Sequence, residues 1–257
     1  MLREGDLVYL LDDKGKRHWV TLAEGMVKVP GLGVLDSSRL IGREEGSRLE
    51  LGGAELVALR PGARELMESL ERGAQIILPK DAATIILNLD LKPGDAVLES
   101  GVGSGSLTTA LLNAVGPDGV VISVELREDF AAKARRNVQR SPYAKAWDLR
   151  LGDIARIPLE GKVDAVVLDI PAPHDALENV GTLLRPGGRL CAYVPNTNQL
   201  ESTVRALRGR GYVEVEAMEN LQRRMEVHEA GVRPSYETLG HTGYLVFARR
   251  ALPLSKS

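Results

Sequence analysis

Apolar and polar residues alternate with a period of two near the start of the chain. Farther along they give way to longer apolar runs separated by stretches of helical spacing. Residues 1–60 carry DLVYLLDDKGKRHWVTL, MVKVPGLGVLD and SRLELGGAELVAL. Alternation of this kind places successive side chains on opposite faces of a strand. Asp13, Lys14 and Gly15 predict one hairpin turn, and Gly52 with Gly53 another. The expectation is a small N-terminal β domain over residues 1–60, with nearly balanced charge and no basic arm.

Pro61 and Gly62 break the β pattern and open a connecting stretch over residues 61–90. There RELMESLERG predicts a short helix ending at Gly73, and Asp81 is placed to cap a second helix, AATIILNLD. From Leu91 onward, strands and helices alternate. The predicted strands are AVLESG, VVISVEL, AWDLRLGD, VDAVVLDI and RLCAYVP. Between them lie helices SLTTALLNAVG (stopping at Gly116), EDFAAKARRNVQR and DALENVGTLL (ending at Pro186-Gly187-Gly188). TNQLESTVRALRGRG follows as a helix, and YVEVEAMENL and GYLVFARR read as a last pair of strands closing one edge. Strands alternating with helices of about 10–15 residues predict an α/β fold, a mostly parallel sheet with helices on both faces, over residues 61–257.

Composition narrows the class. The chain has 257 residues, of which 44% are hydrophobic and 26% charged, ordinary values for a soluble globular protein. Only 4% are aromatic, so the core is mainly aliphatic. Cys191 is the single cysteine, which excludes an intrachain disulfide. No apolar run approaches the roughly 20 residues that span a bilayer. The opening MLREGDLVYLLDD is too charged for a secretory signal, so a cytoplasmic location is expected. The net charge of −2 counts mildly against nucleic-acid binding but leaves room for a local basic patch.

The chemistry concentrates after the first α/β strand, in Glu99-Ser100-Gly101-Val102-Gly103-Ser104-Gly105-Ser106. Glycine allows a sharp turn and close approach of backbone N–H groups to a ligand, at the carboxyl end of a parallel strand where open α/β sheets bind. Such a turn by itself also serves plain strand–helix connections. Glu125 strengthens the ligand reading: it ends the second strand about 20 residues past the turn, where a carboxylate can accept both ribose hydroxyls. Dinucleotide sites favour G-x-G-x-x-G, whereas here G-x-G-x-G follows an acid. That form resembles the first motif of class I S-adenosylmethionine-dependent methyltransferases. Glu99 and the Gly103–Leu107 backbone are then candidates for the amino-acid tail of the cofactor, and Asp153, ending the third strand, for the adenine amino group.

Asp169 ends the fourth strand in LDIPAPHD, and the two prolines that follow should hold it rigidly at the lip of the cofactor cleft. The position resembles one that carries an acidic or amide residue before proline in many class I methyltransferases acting on base nitrogens. That resemblance implies a carboxylate able to accept a hydrogen bond from an adenine's exocyclic amine, push electron density toward N1 and stabilise the cationic methylated ring. Tyr193 and Asn196, in AYVPNTN, should border the same cleft, with Tyr193 able to stack on or hydrogen-bond the target base.

RGAQIILPKDAATI, LESGVGSGSLT, VELREDFAAKARRN, LDIPAP, LRPGGRLCAYVPNTNQ and VRPSYETLGHTGYLVFARR together resemble the tRNA (adenine-58-N1)-methyltransferase family over roughly residues 60–250. RGAQIILPKD and RPSYETLGHTGYL are far more specific than the glycine loop. The resemblance implies a Rossmann-like class I fold with a seven-stranded sheet, S-adenosylmethionine as donor with no metal, tRNA as substrate, and a homotetramer. It places cofactor contacts at Gly101, Gly103, Ser104, Gly105, Ser106 and Leu107, at Glu125 and Phe130 of the VELREDF segment, and at Asp153 and Asp169. Asp169 falls on the family's catalytic aspartate. Arg233, His241 and Thr242 lie in its RP and GHTGY motifs, and a structural role within a hairpin is favoured for His241. Two positions depart from the family pattern: Leu78 stands where an aromatic residue is common, and His174 where tryptophan is. Both are expected near the base pocket, where stacking is worth about 1–3 kcal/mol per base.

Other readings remain. The methyl acceptor can be adenine 57, rRNA, a protein or a small molecule. A dehydrogenase is disfavoured by the glycine spacing, and a non-catalytic subunit by retention of Gly101, Gly103, Gly105 and Asp169. Candidate phosphate contacts are Lys133, Arg135, Arg136 and Arg140 on one helix, Arg205, Arg208 and Arg210 on another, and the Arg223-Arg224 pair.

Overall fold

The structure, a computed structural model, describes residues 1–70 and 76–253. It divides into two compact units, Met1–Leu66 and Met67–Ser257. In the first, β1 (Leu7–Asp12), β2 (Arg17–Thr21), β5 (Arg48–Leu51) and β6 (Ala54–Leu59) form an antiparallel sheet ordered β2-β1-β6-β5, and β3 (Met26–Val29) pairs with β4 (Gly33–Asp36) as a separate hairpin. Both turns marked by glycine in the sequence are hairpin turns here. The alternating residues Val8 and Leu10 meet Val20 and Ala58 across the sheet, and these side chains with Leu22, Leu40 and Leu56 make the unit's core.

α1 (Ala63–Glu68) follows; its predicted end at Gly73 lies outside the described residues. Next come α2 (Pro79–Asn88), β7 (Ala96–Ser100), α3 (Ser106–Val115), β8 (Val120–Glu125), α4 (Glu128–Val138), β9 (Trp147–Leu151) and β10 (Val163–Leu168). After them come α5 (Pro173–Leu183), β11 (Leu184–Val194), α6 (Thr197–Gly209), β12 (Val213–Glu219), β13 (Met225–His228), β14 (Gly231–Pro234) and β15 (Tyr244–Arg249). The seven-stranded sheet has the order β12-β15-β11-β10-β7-β8-β9, and only β15 runs against its neighbours. Adjacent residues feed opposite layers. Val97, Val121, Val167, Cys191 and Phe247 face one core with Ile85 and Leu111, while Leu98, Val166, Leu190 and Val246 face the other with Leu177 and Leu207. Strand order reverses at β7, which has β8 on one side and β10 on the other. A ligand crevice is expected at the carboxyl ends there.

Three local expectations are corrected. α5 stops at Leu183, and Pro186-Gly187-Gly188 lies inside β11 at a register irregularity, because the residue before a proline favours extended backbone over helix. The final strands do not form a tight hairpin: β15 lies between β11 and β12, and the unanticipated β13–β14 hairpin links β12 to it. Asp81 does not cap α2. Leu78 is the cap residue, Pro79 supplies the fixed φ suited to the first turn, and the Asp81 side chain is wholly buried and ion-paired with Lys80.

Candidate active site

A cleft of about 900 Å³ opens at the carboxyl ends of β7, β8 and β10. Its walls include Gly101, Gly103, Glu125, Phe130, Asp153, Asp169 and Tyr193. Gly101 and Gly103 adopt left-handed φ values of 83° and 57°. At Gly101 a side chain is excluded outright, since an added Cβ would overlap the Asp169 carbonyl oxygen and lie 2.7 Å from its carbonyl carbon. An added Cβ at Gly103 meets nothing, so glycine there leaves the space above the loop open.

Glu125 locks this loop. One carboxylate oxygen accepts from Val102 N–H at 2.9 Å and Gly103 N–H at 3.2 Å, and the other from Arg127 N–H at 2.9 Å. The oxygen bound only by Arg127 keeps acceptor capacity while the other already accepts two bonds, so the residue both shapes the loop and offers a lone pair at the cleft. The Arg127 guanidinium lies over the Phe130 ring, its central carbon 4.0 Å from the ring centroid. Asp153 also lines the cleft, with one oxygen accepting from Ala155 N–H at 3.0 Å.

The remaining sites expected for the cofactor lie behind the loop. The Ser104 carbonyl accepts from Asn137, Ser106 donates to the Ile77 carbonyl at 3.2 Å, and Leu107 packs in the core. Gly105 brings α3 against α4: an added Cβ would come within 2.7 Å of Val138. Glu99 is fully buried. One of its oxygens accepts from the Thr108 and Ser123 hydroxyls, and the other has no hydrogen-bond partner among the described residues.

Asp169 continues from β10, its N–H donating to the Ser100 carbonyl at 2.8 Å. Burial, aided by the nearby charge of Glu125, raises its pKa to about 7. Burial likewise raises Glu99 to about 7, with Asp169 and Glu125 adding to the effect. A cleft edged by the carboxylates of Glu125, Asp153 and Asp169, with an open glycine cradle, favours a cationic ligand presenting hydroxyls. The ammonium, sulfonium and ribose groups of S-adenosylmethionine fit it.

Tyr193 lines the cleft, buried against its own neighbours. Its hydroxyl donates to the Thr242 carbonyl at 2.6 Å and an added Cβ at Gly243 would run into its ring. Asn196 instead caps α6, accepting from Gln199 N–H at 2.9 Å. Leu78 and His174 do not line the cleft, although Asp175 and Ala176, next to His174, do. Pattern reading missed Ile154, Ile170, Pro171 and Gln199 on the walls. Gln199 donates to the Pro171 carbonyl at 2.8 Å and so holds the lip after Asp169. The run N-T-N-Q at the start of a helix was the available signal.

His241 sits between two acceptors, Glu219 at 2.6 Å and the carbonyl of the wall residue Pro195 at 2.9 Å. Only the imidazolium can donate to both. Its pKa is raised by the Glu219 carboxylate first and the Pro195 carbonyl second, against partial burial and the Lys80 charge. The stabilisation is therefore fully present below the unfolded value of 6.5 and is lost as pH rises through the raised folded value. Urea unfolding should show His241→Gln less stable than wild type at pH 5.5, with a smaller gap at pH 9. An equal gap at both pH values would refute the assignment.

Two family models cover the chain: the tRNA methyltransferase complex GCD14 subunit over residues 59–233 and the TrmI-like N-terminal family over residues 1–48. The Methanocaldococcus jannaschii tRNA (adenine(57)-N(1)/adenine(58)-N(1))-methyltransferase TrmI is 32% identical, with 93% of each chain covered. The crystal structure of tRNA (m1A58) methyltransferase TrmI from Aquifex aeolicus superposes with a TM-score of 0.80 at 28% identity, covering 98% of this chain and 99% of that one. A structure described as an S-adenosylmethionine-dependent O-methyltransferase from Thermotoga maritima gives 0.87 at 29% identity, covering 99% and 96%. With its glycine cradle, its acid at the end of β10 and these matches along nearly its whole length, this chain belongs to the GCD14/TrmI family of S-adenosylmethionine-dependent tRNA methyltransferases.

Proposed function

We propose that this protein transfers a methyl group from S-adenosylmethionine to N1 of adenine 58 in the T-loop of tRNA. The observation that carries this reading is Asp169, desolvated at the cleft wall with its backbone pressed on the glycine loop. When bound, the cofactor supplies an electrophilic methyl group. Glu125, Asp153, Phe130 and the Gly101–Gly103 backbone bind and orient it, and Glu99 provides buried negative charge beneath the loop. Asp169 accepts a hydrogen bond from the exocyclic amine, orients the ring and opposes the positive charge that N1 acquires. Tyr193 forms the wall against which the base rests. Holding donor and acceptor in line supplies much of the remaining acceleration.

Mass spectrometry of nucleosides from tRNA incubated with protein and donor tests the reading. 1-Methyladenosine at position 58 is expected, and its absence together with methylation of protein or small molecules would reject it. The M. jannaschii relative's name includes adenine 57, so the same digest should be mapped at that position as well.

The base must leave the folded tRNA to reach the cleft. The cations proposed to hold the backbone are Arg135 and Arg136 on α4, Arg208 and Arg210 around the end of α6, and Arg223 and Arg224, all exposed. Arg205 is exposed but bonded to Glu201, which weakens its candidacy. No single group is large, and a homotetramer would combine several into one groove. The affinity for tRNA should therefore fall steeply with salt, with a slope of log affinity against log salt of about −0.7 to −0.9 per phosphate contacted. A flat dependence, or a monomer by light scattering that binds tRNA at full affinity, would remove this arrangement.

A further inference from the structure

A buried polar cluster stands behind the cleft, joining segments far apart in the chain. The Lys80 ammonium donates to Asp81 at 2.8 Å, to the Asn220 carbonyl at 2.6 Å and to the Thr242 hydroxyl at 2.8 Å, so all three of its N–H groups are used. Thr242 in turn donates to the other Asp81 oxygen at 2.9 Å. Asn220 closes the ring from its side, donating to the Lys80 carbonyl at 3.0 Å and the Thr84 hydroxyl at 2.9 Å. Asp81 is fully buried and Lys80 nearly so.

Stability alone does not account for this cluster. Desolvating two charges costs several kcal/mol each, and a well-packed apolar replacement is often as stable. What the cluster does fix is the position of Thr242, whose carbonyl receives the Tyr193 hydroxyl at 2.6 Å, and of Gly243, on which the Tyr193 ring lies. Gly243 leaves no slack, since its added Cβ would lie 2.6 Å from the Tyr193 hydroxyl oxygen.

We infer that Lys80, Asp81 and Thr242 are positioning residues that hold the Tyr193 ring at the wall of the substrate cleft. The inference rests on the proposed methyl transfer for its catalytic part, and on geometry alone for its structural part. A displaced ring misplaces the base, and misplacement by about 1 Å costs up to 100-fold in rate.

The test uses the full chain with 3-fluorotyrosine at position 193, in wild type, Thr242→Val, Thr242→Ser and the paired variant Lys80→Met/Asp81→Leu, which keeps bulk without charge. Fluorine NMR reads the ring, calorimetry reads S-adenosylmethionine affinity, thermal unfolding reads the fold, and single-turnover methylation of tRNA reads the rate. In Thr242→Val and the paired variant the single wild-type resonance should shift or split. The rate should fall roughly 10- to 100-fold, with cofactor affinity within about twofold and the protein still folded. Thr242→Ser should restore both resonance and rate. An unmoved resonance in a folded Thr242→Val variant overturns the inference, as does a moved resonance with the wild-type rate. If wild type transfers no methyl group to tRNA, the functional reading fails instead, and the resonance alone still decides whether the cluster holds the ring.

Discussion

Asp169→Ala should lower the single-turnover rate of methyl transfer by about 10²- to 10³-fold, the scale seen when one preorganised electrostatic group is removed from a dry site. Cofactor affinity should change far less, since Glu99, Glu125 and the glycine loop remain. The pH dependence provides a second signature. Asp169 must be ionised to accept from the amine and oppose the charge on N1. With its pKa raised from 3.8 to about 7, kcat/KM should climb as pH rises through that region. Binding of a cationic donor favours the carboxylate, so the rise in kcat should lie at lower pH than the rise in kcat/KM.

Stability should move the opposite way from activity. Between 3.8 and about 7 the native protein holds a proton on Asp169 that the unfolded chain has released, so this group's contribution declines as pH increases. Asp169→Asn removes that titration. The ligand-free variant should therefore be more stable than wild type at pH 8 and nearly equal to it at pH 4, while transferring methyl groups slowly. Unfolding curves at the two pH values, beside the methylation assay, check this. A variant that loses stability at pH 8 would show that the carboxylate is held by favourable contacts rather than by desolvation.

Gly101→Ala should be the most damaging substitution in the cofactor loop. A left-handed backbone costs a non-glycine residue about 1–2 kcal/mol. Overlap with a well-packed neighbour adds about 1–3 kcal/mol. The neighbour is the Asp169 carbonyl, held by the pairing of Ser100 with Leu168 in β7 and β10 and by the hydrogen bond from Asp169 N–H to Ser100. Relief must therefore displace either the loop or the proposed catalytic acid. We expect a midpoint lowered by several degrees and loss of both cofactor binding and methyl transfer. Gly103→Ala makes the comparison, because its added Cβ meets no atom and only the backbone penalty applies. Equal behaviour of the two variants in calorimetry would contradict the steric account.

Much of this architecture is legible in the chain because it depends on neighbours in sequence. Alternation of Val97 with Leu98 and of Val166 with Val167 already marks strands covered on both faces, and Gly101, Gly103 and Gly105 mark the turn between such a strand and a helix. Glu125 and Asp169 are found by their place at strand ends, where parallel sheets present ligands. The sequence by itself therefore determines the fold class, the cofactor side of the cleft and the candidate acid. It does not disclose that Glu125 clamps the glycine loop, that Glu99 is sealed beneath it, or that Leu78 and His174 stand off the cleft wall. Nor does it show that Asp81 is drawn from a helix-capping role into an ion pair with Lys80 that meets Thr242, 161 positions away. The physical reason is one of range. Backbone preferences and hydrophobic period act over a few residues and leave a local trace. Burial, charge coupling and hydrogen-bond partnership depend on which strands become neighbours, so only the assembled sheet decides them.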